Sequence, residues 1–126
     1  MKAAVEKAIE ELRATIPDAV LTIDEDGDGG AYVMLDPVPL IGPYTQTETW
    51  VGFHIGFQYP ASDVYPHFVR PDLTRRDGAA LGGGMSVAQH RGRSAIQVSR
   101  RSNKLDPAVQ TAAHKLLKVL AWMEKQ

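Results

Sequence analysis

The sequence predicts an α+β fold in one domain, residues 1–126, and three features indicate it. Amphipathic helical patterns occupy both ends of the chain, at 2–15 and 107–124. Between them, alternating apolar and polar residues predict β-strands, the longest from Glu48 to Tyr59. A chain of 126 residues is ordinary for one domain and buries about two-thirds of its unfolded surface. We therefore expect one sheet with helices packed against it.

The N-terminal helix is predicted from a single apolar stripe, and Pro17 ends it. A weak alternation from Ala19 to Ile23 and a second strand from Ala31 to Leu35 flank a cluster of turn-forming residues. We expect these strands to form a hairpin with an acidic tip. The apolar stripe of the helix consists of Val5, Ala8, Ile9, Leu12 and Ile16.

Three aspartates in that tip, Asp24, Asp26 and Asp28, stand at alternate positions, like the first ligands of a calcium-binding loop. That motif also requires a bidentate glutamate at its twelfth position, where this chain has Leu35. We therefore expect a solvated turn at this place.

The central strand has one apolar face, and a proline-rich stretch lies on each side of it. Residues 36–44 predict a wide connection into the strand, because proline cannot donate to a ladder. After the strand, two Tyr-Pro pairs and Pro71 predict an extended segment packed across the edge of the sheet. The apolar face consists of Val51, Phe53, Ile55, Phe57 and Tyr59.

The last third of the chain predicts a loop, a hairpin and a helix. Residues 74–84 contain four glycines and predict a mobile loop, which lacks the lysine and Ser/Thr of a nucleotide-binding P-loop. Short alternations at 85–89 and 95–99 predict a small hairpin. Asp106 is the expected N-cap of the C-terminal helix, with Pro107 at its first position. Its expected apolar stripe is Val109, Ala112 or Ala113, Leu116, Leu117, Leu120 and Met123, closed by Trp122.

The order of these features resembles the ubiquitin-conjugating enzyme fold and its noncatalytic relatives, the RWD domains. The resemblance covers nearly the whole chain and implies a prokaryotic-type member. It implies an N-terminal helix, a four-stranded antiparallel meander, a Tyr-Pro crossing loop and a C-terminal helix packed on the sheet. The residues that carry it are Gly42-Pro43 before the central strand, Ile55 and Phe57 near its end, and the pairs Tyr59-Pro60 and Tyr65-Pro66.

The catalytic features of that family are absent from this sequence. Conjugating enzymes carry their modifier as a thioester on a cysteine, and this chain has no cysteine. The family pattern puts that position near Ala95, and the His-Pro-Asn motif that precedes it is missing. The resemblance therefore implies a noncatalytic binding or scaffold protein, without a cofactor, in a bacterial ubiquitin-like modifier pathway. The alternatives are an active conjugating enzyme whose cysteine was mutated near Ala95, and a small nucleic-acid or anion-binding module.

The charge is unevenly distributed along the chain. Residues 1–63 hold 3 Lys/Arg against 11 Asp/Glu, a net −8, and residues 64–126 hold 11 against 4, a net +7. Either the halves interleave and the charges scatter, or the second half builds a basic surface for an acidic partner. In the conjugating-enzyme family that this sequence resembles, the residues around and after the catalytic cysteine face the docked partner. We expect a ubiquitin-like protein, or its activating or processing machinery, to bind at Arg91, Arg93, Ser99, Arg100, Arg101 and Asn103.

Other classes of function are judged on composition and spacing. No apolar run approaches the roughly 20 residues of a membrane span, and the first residues do not resemble a signal peptide, so we expect a cytoplasmic protein. A near-neutral isoelectric point and the lack of interleaved aromatics disfavour nucleic acid. The four histidines have no close paired spacing, and we expect partly exposed structural histidines and no metal. A zinc site formed by His67, Asp72 and His90 is kept as an alternative.

Overall fold

A computed structural model describes residues 1–102, 106–108 and 110–126. Within these residues the chain forms two helices and six strands. The α+β class is confirmed, but the predicted four-stranded meander is wrong, because the antiparallel sheet has six strands. The elements are α1 Ala3–Thr15, β1 Val20–Glu25, β2 Ala31–Pro39, β3 Glu48–Ile55, β4 His67–Val69, β5 Met85–His90, β6 Arg93–Val98 and α2 Ala112–Glu124.

The strands are arranged in the order β1-β2-β3-β4-β6-β5. β1 to β3 form a meander, and the predicted hairpin of β5 and β6 extends it. Arg91 and Gly92 make the two-residue turn of that hairpin, both with positive φ, of 52° and 83°. The link between meander and hairpin is β4, which pairs with both β3 and β6. The strand β4 has only three residues, which are too few to show an alternating pattern, so the sequence did not predict it.

The central strand β3 ends at Ile55, four residues before the predicted end at Tyr59. The chain turns there, with the N–H of Tyr59 donating to the carbonyl of Gly56 over 3.0 Å. Phe57 is consequently 48% exposed instead of lying on the apolar face. Tyr59 is still buried, and its hydroxyl accepts the N–H of Ala112 over 2.9 Å. The Tyr-Pro segment is thereby joined to the first turn of α2.

The helix α2 begins five residues later than predicted. The expected N-cap, Asp106, instead accepts the N–H of Ala108 over 3.0 Å in a turn, which is a common alternative for aspartate. Thr111 is the actual N-cap, and its hydroxyl accepts the N–H of His114 over 3.1 Å. The predicted stripe residue Val109 lies outside the described residues.

The core lies between one face of the sheet and the two helices. On α2 the buried stripe runs through Leu116, Val119 and Met123, whereas the predicted Leu117 is 49% exposed and Leu120 is partly buried. Neither described helix is long and apolar enough to cross a membrane. The predicted faces of α1 and β3 are confirmed by the burial of Val5, Ala8, Ile9, Leu12, Val51, Phe53 and Ile55, while Ile16 is only partly buried.

Residues 74–84 form the expected loop, but its beginning is anchored. The N–H of Thr45 donates to the carbonyl of Thr74, and the N–H of Arg76 donates to the carbonyl of Pro43, each over 2.8 Å. At the other end Gly84 has a φ of 86°, and a Cβ there would lie 3.0 Å from the ring of Trp122. The last glycine therefore allows the loop to pass closely over α2.

Candidate partner-binding site

The structure divides the predicted arginines between two clefts. Arg100 and Arg101 line a groove beside α2, while Arg91 and Arg93 line a cleft on the sheet face opposite the helices. Ser99 is partly buried and accepts a hydrogen bond from the side chain of Gln97. The sixth predicted residue, Asn103, lies outside the described residues.

We call the first of these the α2 groove. It has a volume of about 490 Å³, within the range of roughly 300–1,000 Å³ that is usual for ligand sites. The segment after β6 forms one wall, and the exposed side of α2 forms the other. Its described lining consists of Arg100, Arg101, Ser102, Gln110, Lys115, Lys118, Val119 and Trp122.

Both arginines of the groove lie over aromatic rings. The guanidinium of Arg100 is 4.7 Å from the ring centre of Trp122, and that of Arg101 is 4.0 Å from the ring centre of Tyr65. A guanidinium binds an aromatic ring through its face, whereas its N–H donors lie in its plane. The rings therefore hold both guanidinium groups in place, and neither group donates a hydrogen bond to a described residue.

A buried polar network forms the floor of the groove. Lys115 is only 5% exposed, and its Nζ donates to Asp63 over 3.1 Å and to the hydroxyl of Ser102 over 2.9 Å. The backbone N–H of Ser102 donates to the same carboxylate over 2.8 Å. Burial alone would raise the pKa of Asp63, but the N–H of Ser102 and the ammonium of Lys115 hold this pKa below its ordinary value. The carboxylate is therefore ionised at neutral pH.

This network has the composition of a serine–lysine catalytic dyad but not its chemistry. A lysine that activates a serine must be neutral, so that its lone pair accepts the hydroxyl proton. Here the ionised Asp63 pairs with Lys115, and the ammonium donates to Ser102 instead of accepting from it. The network fixes the 99–102 segment against α2 and supplies no base.

Two further side chains line the groove, one of them charged and one polar. Lys118 is exposed on α2, which adds a fourth cation to Arg100, Arg101 and Lys115. The side-chain oxygen of Gln110 is buried and has no hydrogen-bond partner among the described residues. The groove is thus strongly cationic and also contains one unused acceptor.

The second cleft, on the sheet face, has about 290 Å³ and is less cationic. Arg91 pairs with Asp24 over 2.7 Å and lies 4.3 Å from the ring centre of Tyr32. Arg93 stacks on Trp50 at 4.5 Å. An internal carboxylate therefore neutralises part of the charge in this cleft, and we call it the sheet cleft.

The acidic tip of the first hairpin is organised by Asp26. Its carboxylate accepts the N–H groups of Asp28 and Gly30, and it lies 2.6 Å from His54 Nε2. The hydrogen bond from His54 and those from the backbone lower the pKa of Asp26. Among the described residues no group of three His, Asp or Glu side chains is arranged to hold a metal ion.

The two histidines of the possible zinc site, His67 and His90, do not lie close together. His67 lies in the core face of the sheet, while His90 stacks on Phe68, the next residue along β4, at 4.4 Å on the opposite face. His67 is 0% exposed and His90 7%, so the expectation of partly exposed histidines is wrong for both. Burial, reinforced by the charge of Lys115, lowers the pKa of His67 to about 3.

Most residues of the α2 groove were not predicted from the sequence. Asp63, Gln110, Lys115 and Lys118 were not singled out, because each is an ordinary polar residue in its local pattern. A usable signal was present at Lys115, which lies between Ala112 and Leu116 on the stripe that the helix buries. A lysine on a buried stripe requires a carboxylate partner from elsewhere in the fold.

No protein-family model, curated protein or solved structure matches this chain. The geometry of the groove and the sequence resemblance are therefore the grounds on which a function is inferred.

Proposed function

We propose that this chain is a noncatalytic binding protein that docks an acidic surface of a protein partner in the α2 groove. The observation that carries the proposal is the charge of the groove. Four cations line it, and among the described residues only Lys115 has a carboxylate partner, Asp63. A cluster with this excess of positive charge attracts an acidic partner and speeds its association.

The proposed partner is a ubiquitin-like modifier, or the machinery that activates or processes it. The sequence resemblance to conjugating enzymes and RWD domains supports this context, together with the order of helix, meander, Tyr-Pro segment and C-terminal helix. The proposal includes a UBC-like fold and a cytoplasmic location, where ATP is available for modifier activation.

The burial of Ala95 supports a noncatalytic role. This residue is 1% exposed in the middle of β6, where it pairs with Ala88 of β5. A cysteine at this position would be buried in the sheet, whereas a thioester with a modifier needs an accessible sulfur. This burial disfavours the alternative of an active enzyme with a mutated cysteine.

Nucleic acid is disfavoured as the ligand by the state of the aromatic rings. Single strands bind by stacking their bases on exposed rings. In the groove, the ring of Trp122 is covered by Arg100 and that of Tyr65 by Arg101. Each guanidinium occupies one face of a ring on which a base would otherwise stack.

The proposal is tested by incubating the chain with a ubiquitin-like modifier, its activating enzyme and ATP. We expect no covalent band on gels and a reversible complex whose nuclear magnetic resonance shifts centre on Arg100, Arg101 and Lys118. A band that resists reducing agents, which indicates an ester on Ser94 or Ser99, would contradict the noncatalytic role. Shifts centred on the sheet cleft would contradict the assignment of the groove.

A further inference from the structure

We infer that the α2 groove binds its partner through an extended acidic peptide segment, and that Gln110 accepts a hydrogen bond from the backbone of that segment. This inference rests on the proposed function and specifies the ligand of the same site. Three features of the groove carry it: open guanidinium edges, an unused buried acceptor and an apolar patch.

The guanidinium edges select for carboxylates. Arg100 and Arg101 are exposed, and neither has an ion pair or hydrogen bond with a described residue. Each guanidinium is already held over a ring, that of Trp122 or Tyr65, so less conformational entropy is lost when an anion binds. A planar guanidinium edge matches a carboxylate through two parallel N–H donors.

The remaining cations have different roles. Lys115 is already neutralised by Asp63, and therefore fixes the floor of the groove without being available to a ligand. Lys118 is exposed and can pair with a third acidic group. Three open cations along one groove fit a segment with several acidic side chains better than they fit a single anion.

The side-chain oxygen of Gln110 favours a ligand that also donates a hydrogen bond. A buried acceptor without a partner is destabilising, and the groove leaves this one unpaired among the described residues. Carboxylate groups and sulfate have no proton to offer at neutral pH. A peptide backbone supplies N–H donors beside acidic side chains, so a peptide satisfies both requirements.

An apolar patch lies between the charged groups. Both Val119 and Trp122 line the groove, but Val119 is 2% exposed, so the apolar surface is mainly the part of the partly buried Trp122 that Arg100 does not cover. A volume of about 490 Å³ leaves space for a short segment of a few residues. The best-fitting ligand is an extended peptide in which acidic residues flank one apolar residue.

The test uses calorimetric titration of the full chain near neutral pH. The probes are a capped Glu-Asp-Leu-Asp-Glu peptide, the same peptide N-methylated at its central residues, and sodium sulfate. N-methylation keeps every charge and removes backbone N–H donors. We expect the unmodified peptide to bind about fivefold more tightly than the N-methylated one, the value of one hydrogen bond.

Two variants test whether Gln110 causes the difference in affinity between the two peptides. In Gln110→Ala we expect the preference for the unmodified peptide to disappear, whereas Gln89→Ala, which removes an exposed glutamine on β5, keeps it. Equal binding of both peptides by the unchanged protein would overturn the inference, and so would sulfate binding that displaces the peptide.

The proposed function can fail separately from this inference. Selective peptide binding without binding of any ubiquitin-like modifier would refute the proposed partner and leave the peptide site standing. A modifier that binds the groove through a folded surface, while the peptide does not bind, would overturn the peptide site and support the function.

Discussion

His67 is a histidine in an apolar environment in the core. It is fully buried against Phe53, with ring centres 4.9 Å apart, and both of its nitrogens are without a hydrogen bond to described residues. An apolar environment of this kind favours the neutral ring, which explains a pKa lowered to about 3. His67 therefore couples folding to pH.

We predict that acid destabilises the protein through His67. Below about pH 6.5, His67 takes up a proton in the unfolded chain, whereas in the folded chain it stays neutral down to about pH 3. The free energy of unfolding therefore falls as pH falls across this window. The loss is about 1.4 kcal/mol per pH unit, or about 2 kcal/mol between about pH 7.5 and pH 5. Urea unfolding at several pH values measures it.

The variant His67→Leu, which removes the titrating ring, should lose that part of the pH dependence. His114→Gln is the matched control, because His114 is exposed on α2 and its replacement should leave the dependence intact. Acid sensitivity that persists in His67→Leu would show that other groups cause it.

The pair Asp63 and Lys115 gives a second prediction at the residue scale. Asp63→Ala leaves a lysine whose side chain is 6% exposed without its carboxylate, and should cost about 3 kcal/mol of folding free energy. Adding Lys115→Met should restore most of it, because an apolar side chain suits the buried position. Chemical denaturation of the single and double variants measures both values.

Asp77→Ala is the control for that pair. Asp77 is exposed and pairs with Arg75 on the surface, so its loss should change stability little. Equal destabilisation by Asp63→Ala and Asp77→Ala would mean that burial of the first pair is unimportant.

At the scale of elements, most of the fold was predictable because the patterns are local. The stripe of α1, the apolar face of β3 and the hairpin around Arg91-Gly92 follow from periodicity and turn chemistry alone. The start of α2 and the strand β4 were not predicted correctly. Asp106 and Thr111 are both good N-caps, and contact with Tyr59 favours the second.

The groove was only partly predictable, because its contacts join residues that are far apart in the sequence. Four arginines stood out in the sequence, but the rings on which they stack lie far along the chain, at Tyr32, Trp50, Tyr65 and Trp122. Which arginine is neutralised by a carboxylate depends on tertiary contacts, as Arg91 and Asp24 show. Local sequence therefore identified the cations and left their grouping undetermined.

Hydrogen exchange should distinguish β3 from the glycine loop. The amides of Ala80 to Gly83 donate to no described residue, and we expect them to exchange near the intrinsic rate. The N–H of Arg76 in the same loop is bonded and should be protected, and amides of β3 such as Phe53 should be slowest. Equal protection at Gly83 and Phe53 would show that the loop is a packed element.

At the scale of the whole molecule, the two oppositely charged halves of the sequence combine in the fold only in part. Arg91 pairs with Asp24 and Lys115 with Asp63, so some basic residues of the second half meet acids of the first. Arg100, Arg101 and Lys118 have no such ion pair among the described residues and stay together in the α2 groove. Three cations without a carboxylate partner among the described residues therefore lie together at one site, which is the central claim for function.

That claim is tested most directly by comparing two double variants of equal charge. Arg100→Glu with Arg101→Glu reverses the groove, and Arg91→Glu with Arg93→Glu reverses the sheet cleft. We measure the affinity of each for a ubiquitin-like modifier, together with its melting temperature. We expect the groove variant to bind about tenfold more weakly with its melting temperature little changed, because exposed pairs each contribute up to about 1 kcal/mol. The sheet-cleft variant should keep its affinity, whereas equal loss in both variants, or full binding by the folded groove variant, would contradict the α2 groove as the docking site.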